Sequence, residues 1–155
     1  MTKDDLTSRT QGQFAQVVLC RGCCCGQTER GFPPVPVDRI KAIWKGEKLN
    51  RSVQLTVSGC LGPCDVPNVV LVLTAAGPQW FANIAGDLVY EMLVDWARRC
   101  AASQSALPLP VDLDAHRLER FGAPAASRPL TSREVLPSGT SRLDRARGDE
   151  CIDIS

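Results

Sequence analysis

The chain has 155 residues and a formal net charge of +1, from 18 Lys and Arg against 17 Asp and Glu. This length predicts one domain with some additional chain, and the balanced charge argues against binding to nucleic acid or to an anionic membrane. The polar amino terminus lacks the apolar region of a signal peptide, and no apolar run approaches the ~20 residues of a membrane-spanning helix. We therefore expect a soluble, cytoplasmic protein with neither nucleic acid nor membrane as a partner.

Cysteine is the unusual part of the composition, with 8 in the chain, which is well above the average for globular proteins. Four of them lie within six positions, in the segment CRGCCC that runs from Cys20 to Cys25. In a reducing compartment, clustered cysteines indicate metal binding or redox chemistry more often than structural disulfides.

The first predicted elements are a strand and a helix separated by a loop. Residues 1–13 are expected to form a disordered leader. Residues 14–20 are apolar and β-branched, which predicts a strand that ends at the first cysteine. A loop rich in cysteine, glycine and proline follows, and residues 37–49 then repeat apolar side chains at the spacing of an amphipathic helix.

Three further strands and a second helix complete the predicted domain. Residues 52–58 alternate apolar and polar side chains, which predicts a half-buried strand that ends before Cys60. Residues 68–84 read as two strands joined by a turn at residues 75–78. Residues 86–100 predict an amphipathic helix, whose expected apolar face consists of Leu88, Met92, Leu93 and Trp96.

The element order over residues 14–103 predicts an α/β fold. A strand–helix–strand beginning implies a right-handed parallel crossover, and the hairpin adds antiparallel strands. The expected architecture is thus a thioredoxin-like β-α-β-β-β-α mixed sheet with flanking helices. Residues 104–155, rich in Pro, Ser and Gly, are expected to form a largely irregular, partly disordered C-terminal extension, with one short helix over residues 112–122.

The topology predicts where the cysteines meet. In a parallel strand–helix–strand pair, both strand ends lie at the same edge of the sheet. The loop with Cys20 and Cys25 and the loop with Cys60 and Cys64 should therefore be neighbours and share a four-sulfur site. Thiolate ligands suit zinc or an iron–sulfur cluster and disfavour magnesium and calcium. Pairing Cys20 with Cys23 would equally give a spacing that fits zinc-ribbon sites, so the spacing leaves zinc and iron–sulfur open.

Small and charged residues beside the cysteines have two interpretations each. Gly26, Gly59 and Gly62 could bring backbone N–H groups to sulfur, or they could simply form turns. Arg21 and Arg30 could offset the negative charge of a thiolate site, or they could be solvated. Three apolar residues of the second loop, Leu61, Val66 and Pro67, could form a rim that contacts a redox partner. Alternatively, they could pack on the hairpin.

Two segments, CRGCCCGQTERG and SGCLGPCDVPNVV, resemble the thioredoxin-like [2Fe–2S] ferredoxins. The same segments are similar to the small thioredoxin-like [2Fe–2S] subunit of NADH:quinone oxidoreductase. The resemblance covers about residues 14–100. It implies one [2Fe–2S] cluster, with Cys20 and Cys25 as the first pair of ligands and Cys60 and Cys64 as the second.

The consecutive cysteines depart from this pattern. Cys24 and Cys23 lie inside the first pair and are alternative ligands to Cys25. The resemblance further implies a non-enzymatic electron carrier that forms a homodimer and exchanges electrons with donor and acceptor proteins. Some similar bacterial proteins are encoded beside cobalamin-pathway genes, which suggests cobalamin synthesis as an outlet.

Three other functions would use the same thiols: a zinc-binding structural module, a metallochaperone for iron or cobalt, and a thioredoxin-like dithiol oxidoreductase. The last is disfavoured because residues 24–36 cannot begin a helix, whereas the thioredoxin motif lies at a helix N-terminus that lowers the thiol pKa. Cys100 and Cys151 are expected to have no chemical role. His116 is the only histidine, which excludes a His₂Cys₂ Rieske site within one chain, and we expect it at the surface.

Overall fold

The computed structural model describes residues 12–122. The elements in chain order are β1 (Ala15–Cys20), α1 (Val37–Gly46), β2 (Val53–Ser58), β3 (Val70–Thr74), β4 (Gly77–Phe81), α2 (Leu88–Ser103) and β5 (Arg117–Leu118). Short 3-10 segments occur at Thr28–Arg30, Leu49–Arg51 and Val111–His116. Most of the expected leader, residues 123–155 and Cys151 lie outside the described residues.

The strands form one five-stranded mixed sheet in the order β2-β1-β3-β4-β5. β1 and β2 are parallel, with Cys20 opposite Ser58 at their carboxyl ends. β3 is antiparallel to β1, and the hairpin of β3 and β4 continues the sheet. The α/β class, the parallel crossover and the antiparallel hairpin are thereby confirmed, and the architecture is consistent with a thioredoxin-like fold.

Both helices pack into one core with the sheet. Trp44 of α1 and Trp96 of α2 are 1% and 0% exposed, and each indole N–H donates to a backbone carbonyl: Trp44 to Val53 at 2.8 Å and Trp96 to Leu107 at 2.9 Å. Because a buried indole N–H needs an acceptor, these bonds fix how the helices sit on the sheet. No helix among residues 12–122 is both long and apolar enough to cross a membrane.

The predicted apolar face of α2 is wrong at one end. Leu88 is 69% exposed, whereas Val89 and Tyr90 are buried. Leu88 is the first residue of the helix and lies on its solvent side, whereas the buried side of the helix begins with Val89 and Tyr90. Cys100, in the last turns of the helix, is 0% exposed, and burial raises the pKa of its thiol.

The short helix predicted over residues 112–122 is confirmed only in its first half, as a 3-10 helix over Val111–His116. A 3-10 segment buries Leu113 to 1% exposure, and β5 then pairs antiparallel with β4, placing Leu118 opposite Trp80. This pairing satisfies backbone groups that a helix would have bonded locally, so tertiary contacts override the local pattern. His116 is half-buried, and its ring Nδ1 lies 3.2 Å from the carbonyl oxygen of Ala82.

Candidate metal centre

The two cysteine loops lie side by side at the carboxyl ends of β1 and β2. The amide of Arg21 donates to the carbonyl of Ser58 at 2.9 Å, which continues the parallel ladder into the loops. Beyond it, Gly22 approaches Cys60 so closely that a Cβ on Gly22 would lie 2.7 Å from the Cys60 Cα atom. The prediction that these loops are neighbours is confirmed, and sequence reasoning missed Gly22 as the residue that permits the contact.

Cys20 and Cys25 form an inner pair of sulfurs. They are 3% and 2% exposed. A hydrogen bond from the Cys25 thiol, together with the backbone amides of Leu61 and Gly22, lowers the pKa of Cys20 to about 6 against the opposing effect of burial. The same hydrogen bond and burial raise the pKa of Cys25. The Cys25 thiol and the two amides therefore favour the charged form of the Cys20 sulfur.

Cys60 and Cys64 form an outer pair, and Cys23 joins them. The Cys60 and Cys64 sulfurs are 3.1 Å apart, and the Cys23 sulfur lies 3.2 Å from that of Cys64. The hydrogen bond with Cys60, with burial and the contact with Cys23, raises the pKa of Cys64. Cys60 is exposed, whereas Cys64 and Cys23 are half-buried. This pair thus faces solvent where the inner pair does not.

Two of the consecutive cysteines, Cys23 and Cys24, lie close to a predicted ligand. The sulfurs of Cys23, Cys24 and Cys64 all lie within 4.8 Å of one another, whereas Cys25 turns to Cys20. Cys25 also interacts electrostatically with Cys64, which links the inner and outer pairs. Among residues 12–122, the group of three close cysteine sulfurs is that of Cys23, Cys24 and Cys64. The four predicted ligands Cys20, Cys25, Cys60 and Cys64 lie in neighbouring loops but do not form such a close group.

The glycines flanking the cysteines have different roles. The Gly62 amide donates to the Cys60 sulfur at 3.3 Å, which confirms the predicted amide–sulfur contact there. The carbonyl of Gly59 accepts from the Cys20 thiol at 3.4 Å when that thiol is protonated. For Gly26 the expectation is wrong, because its N–H donates to the Asn68 side chain at 2.7 Å instead of to sulfur.

Asn68 fixes the first cysteine loop and was missed by sequence reasoning. It is 0% exposed. Besides accepting from Gly26, its amide group donates to the carbonyls of Pro33 at 2.9 Å and Ile84 at 3.1 Å. The only signal in the sequence is a polar residue at the start of an apolar run. Asn68 joins the cysteine loop, the segment before α1 and the segment before α2.

Arginines and apolar residues surround the loops. Arg30 donates to the carbonyl of Cys23 at 2.7 Å, so it is bound to the first loop, whereas Arg21 is exposed. Leu61 and Val66 are partly buried against the cluster that contains Cys20 and Cys25, which favours packing as their role. A third arginine, Arg120, lies against the second loop and was not predicted.

No α-helix begins at the first cysteine loop. The loop continues into the 3-10 segment Thr28–Arg30, and α1 begins only at Val37. The predicted absence of a helix after Cys23 is confirmed, so the thiols of Cys20 and Cys23 lack the helix N-terminus that activates a thioredoxin motif.

The donor set fits a thiolate-bound metal. All the atoms offered are sulfur, which suits zinc or an iron–sulfur cluster. Metal–sulfur bonds of about 2.3 Å place the sulfurs of a tetrahedral site about 3.8 Å apart. The close contacts of 3.1 and 3.2 Å at Cys64 are near that spacing, so small side-chain rotations bring ligands into place.

No protein-family model matches the chain, and no curated protein matches it. Among solved structures, the chain is similar to the wild type thioredoxin-like [2Fe–2S] ferredoxin from Aquifex aeolicus. The identity is 21%, the alignment covers 56% of this chain and 87% of that chain, and the TM-score is 0.36. A likeness of this extent assigns neither a family nor a cofactor to this chain.

Proposed function

We propose that the protein is a one-electron carrier that holds a [2Fe–2S] cluster through Cys20, Cys25, Cys60 and Cys64. The observation that carries the proposal is the meeting of two cysteine loops at one sheet edge, where the sulfurs form an inner and an outer pair. When bound, the cluster would take up one electron from a donor protein and release it to an acceptor protein.

The residues around the inner pair would exclude water from the cluster. Cys20 and Cys25 share a buried apolar cluster with Val69 and Ala82. Low solvent access and backbone N–H donors both tune the reduction potential of an iron–sulfur site. Such donors reach the Cys20 sulfur from Leu61 and other backbone amides.

Electrons would pass between the cluster and a partner protein at the outer pair. Cys60 is exposed, so a cluster ligand would reach the surface where another protein can approach. Partner proteins, a homodimeric state and an outlet in cobalamin synthesis belong to this proposal through the resemblance alone.

A second candidate is a zinc-binding structural module or a metallochaperone. It is favoured by the group of Cys23, Cys24 and Cys64, to which Cys60 could add a fourth thiolate. Four thiolates are a common ligand set for structural zinc. The two candidates compete for Cys64, so one chain cannot satisfy both at once.

Anaerobic purification followed by metal analysis tests the proposal. We expect a red-brown protein with about two iron and two labile sulfide per chain, as for a [2Fe–2S] site with four cysteines. Its visible absorption should bleach with one electron per chain. A colourless protein with zinc in place of iron would reject the electron carrier and support the second candidate.

A further inference from the structure

Arg120 lies directly against the loop between Cys60 and Cys64. A Cβ atom on Gly62 would be 2.5 Å from Nη2 of Arg120, and Gly62 has a φ of +114°. Both observations require glycine at this position, because a side chain would be strained there and would displace the guanidinium. The amide of the same Gly62 donates to the Cys60 sulfur at 3.3 Å, so the arginine and the sulfur contact one peptide segment.

Two aromatic rings hold the guanidinium in place. Its central carbon is 5.8 Å from the ring centre of Trp80 and 5.3 Å from that of Phe121. The two rings meet edge to face with their centres 6.2 Å apart. Such stacking fixes an arginine side chain with a favourable cation–π interaction. The charge of Arg120 therefore has a defined position beside the second loop.

This charge is not neutralised by the part of the protein that the structure describes. Within residues 12–122, the ion pairs of arginine involve Arg39, Arg98 and Arg117, and none involves Arg120. Its Nε atom is buried and has no hydrogen-bond partner among the same residues. Because Arg120 is half-buried and has no carboxylate partner among residues 12–122, its charge is free to act on the adjacent loop.

We propose that Arg120 supplies a fixed positive charge that raises the reduction potential of the cluster; this inference rests on the proposed function. A [2Fe–2S] cluster with four thiolate ligands is an anion, and reduction adds one more negative charge. A nearby cation stabilises the reduced form more than the oxidised form. Since Arg120 is half-buried and lies against two rings, solvent and salt screen it less than a fully exposed charge.

The acidic residues near the second cysteine loop offset the positive charge of Arg120 only weakly. Asp65 follows Cys64 directly and Glu119 precedes Arg120, but both side chains belong to exposed residues. Water screens their charges more strongly than it screens Arg120. Arg30 is hydrogen-bonded to the first cysteine loop. Arg120 places a corresponding positive charge beside the second loop, which carries the outer pair.

A redox titration of the cluster-loaded full chain with dithionite and mediators tests the inference. We expect Arg120→Gln to lower the equilibrium constant for reduction by roughly tenfold, which is about 59 mV for a one-electron couple. Arg120→Lys should restore most of the potential because it keeps the charge. The matched control is Arg117→Gln, since Arg117 stacks on Phe81 at 5.5 Å but is paired with Asp114 at 2.7 Å; it should titrate like the wild type.

Each outcome decides the inference. Equal potentials for Arg120→Gln and the wild type would overturn it and leave the electron carrier intact, and so would an equal shift in Arg117→Gln. If Arg120→Gln fails to load the cluster, Phe121→Ala takes its place, because Phe121 is 70% exposed and its loss opens Arg120 to water. That variant should shift in the same direction by a smaller amount, and an unchanged or higher potential would overturn the inference. A wild type without a chromophore would reject the proposed function itself.

Discussion

The six clustered cysteines differ more in their surroundings than in their spacing. Cys20 and Cys25 are buried, hydrogen-bonded to each other and close to backbone N–H groups, whereas Cys60 is exposed. Cys23 and Cys24 form a close group of sulfurs with Cys64. Under the proposed function, the outer members of the CRGCCC segment are cluster ligands and the middle two are auxiliary thiols.

Single replacement of each cysteine by serine tests this assignment. We expect loss of visible absorption and of labile sulfide for Cys20→Ser, Cys25→Ser, Cys60→Ser and Cys64→Ser. Cys23→Ser and Cys24→Ser are the matched controls from the same loop, and they should keep the cluster with at most a shifted spectrum. Retention in Cys25→Ser with loss in Cys24→Ser would show that the second ligand is Cys24.

Asn68 should stabilise the first cysteine loop independently of any metal. Its replacement by Ala removes the side-chain partner of one buried backbone group, that of Ile84, and of two partly buried ones, those of Gly26 and Pro33. We expect Asn68→Ala to lower the free energy of unfolding of the metal-free protein by about 3 kcal/mol. Denaturant unfolding followed by circular dichroism measures this change.

The control for Asn68 is Asn50→Ala. Asn50 also accepts a backbone hydrogen bond through its side chain, from the amide of Leu55 at 2.9 Å, but it is exposed. Water can replace that bond, so the loss should stay below about 1 kcal/mol. Similar losses for the two variants would contradict the role given to Asn68.

The last segment of the described chain is bound to the domain by one buried leucine and a two-residue strand. Leu113→Ala should lower the free energy of unfolding by about 3 kcal/mol through the lost contacts and the cavity. Val111→Ala, in the same 3-10 segment, is the control: Val111 is 79% exposed, and its loss should matter by about 0.5 kcal/mol or less. Chemical unfolding monitored by tryptophan fluorescence distinguishes the two, and equal losses would show that the segment does not pack as described.

The regular elements could be predicted because their evidence is local. The alternation of residues 52–58 and the helical period of residues 37–49 reflect which side faces the core, and both elements occur close to the expected limits. β5 could not be predicted, since two residues carry no period and their pairing with β4 depends on the whole sheet. The domain limits proposed at residues 14 and 103 stay a prediction.

The site was predictable only in part for the same reason. The parallel crossover predicted that two loops would meet, because that follows from topology. Gly22, Asn68 and Arg120 were missed since each acts on a residue far away in the chain: on Cys60, on Gly26 and on Gly62. Apart from the polar residue at the start of the apolar run at Asn68, the sequence around these residues does not indicate such contacts.

At the scale of the whole molecule, the sheet fixes the distance between the two cysteine loops. β1 and β2 are hydrogen-bonded along their length, from Ala15 opposite Val53 to Cys20 opposite Ser58. Both cysteine loops therefore leave the sheet from adjacent strand ends that cannot separate without breaking the ladder. A cluster bound across the loops would in turn hold the two strands together.

The close approach of the loops yields a test that needs no change of ligand. In Gly22→Ala, the added methyl group would lie 2.7 Å from the Cys60 Cα atom, so the loops must move apart. We expect a lower iron content at equal protein concentration, and a loss of about 1–3 kcal/mol in the free energy of unfolding of the metal-free chain from overpacking. Gly59→Ala is the control from the second loop, because no atom of residues 12–122 outside its chain neighbours lies within 4 Å of its added Cβ. Equal iron and sulfide in the two variants would mean that cluster binding does not depend on this contact; a selective loss in Gly22→Ala would show that both loops hold one metal centre.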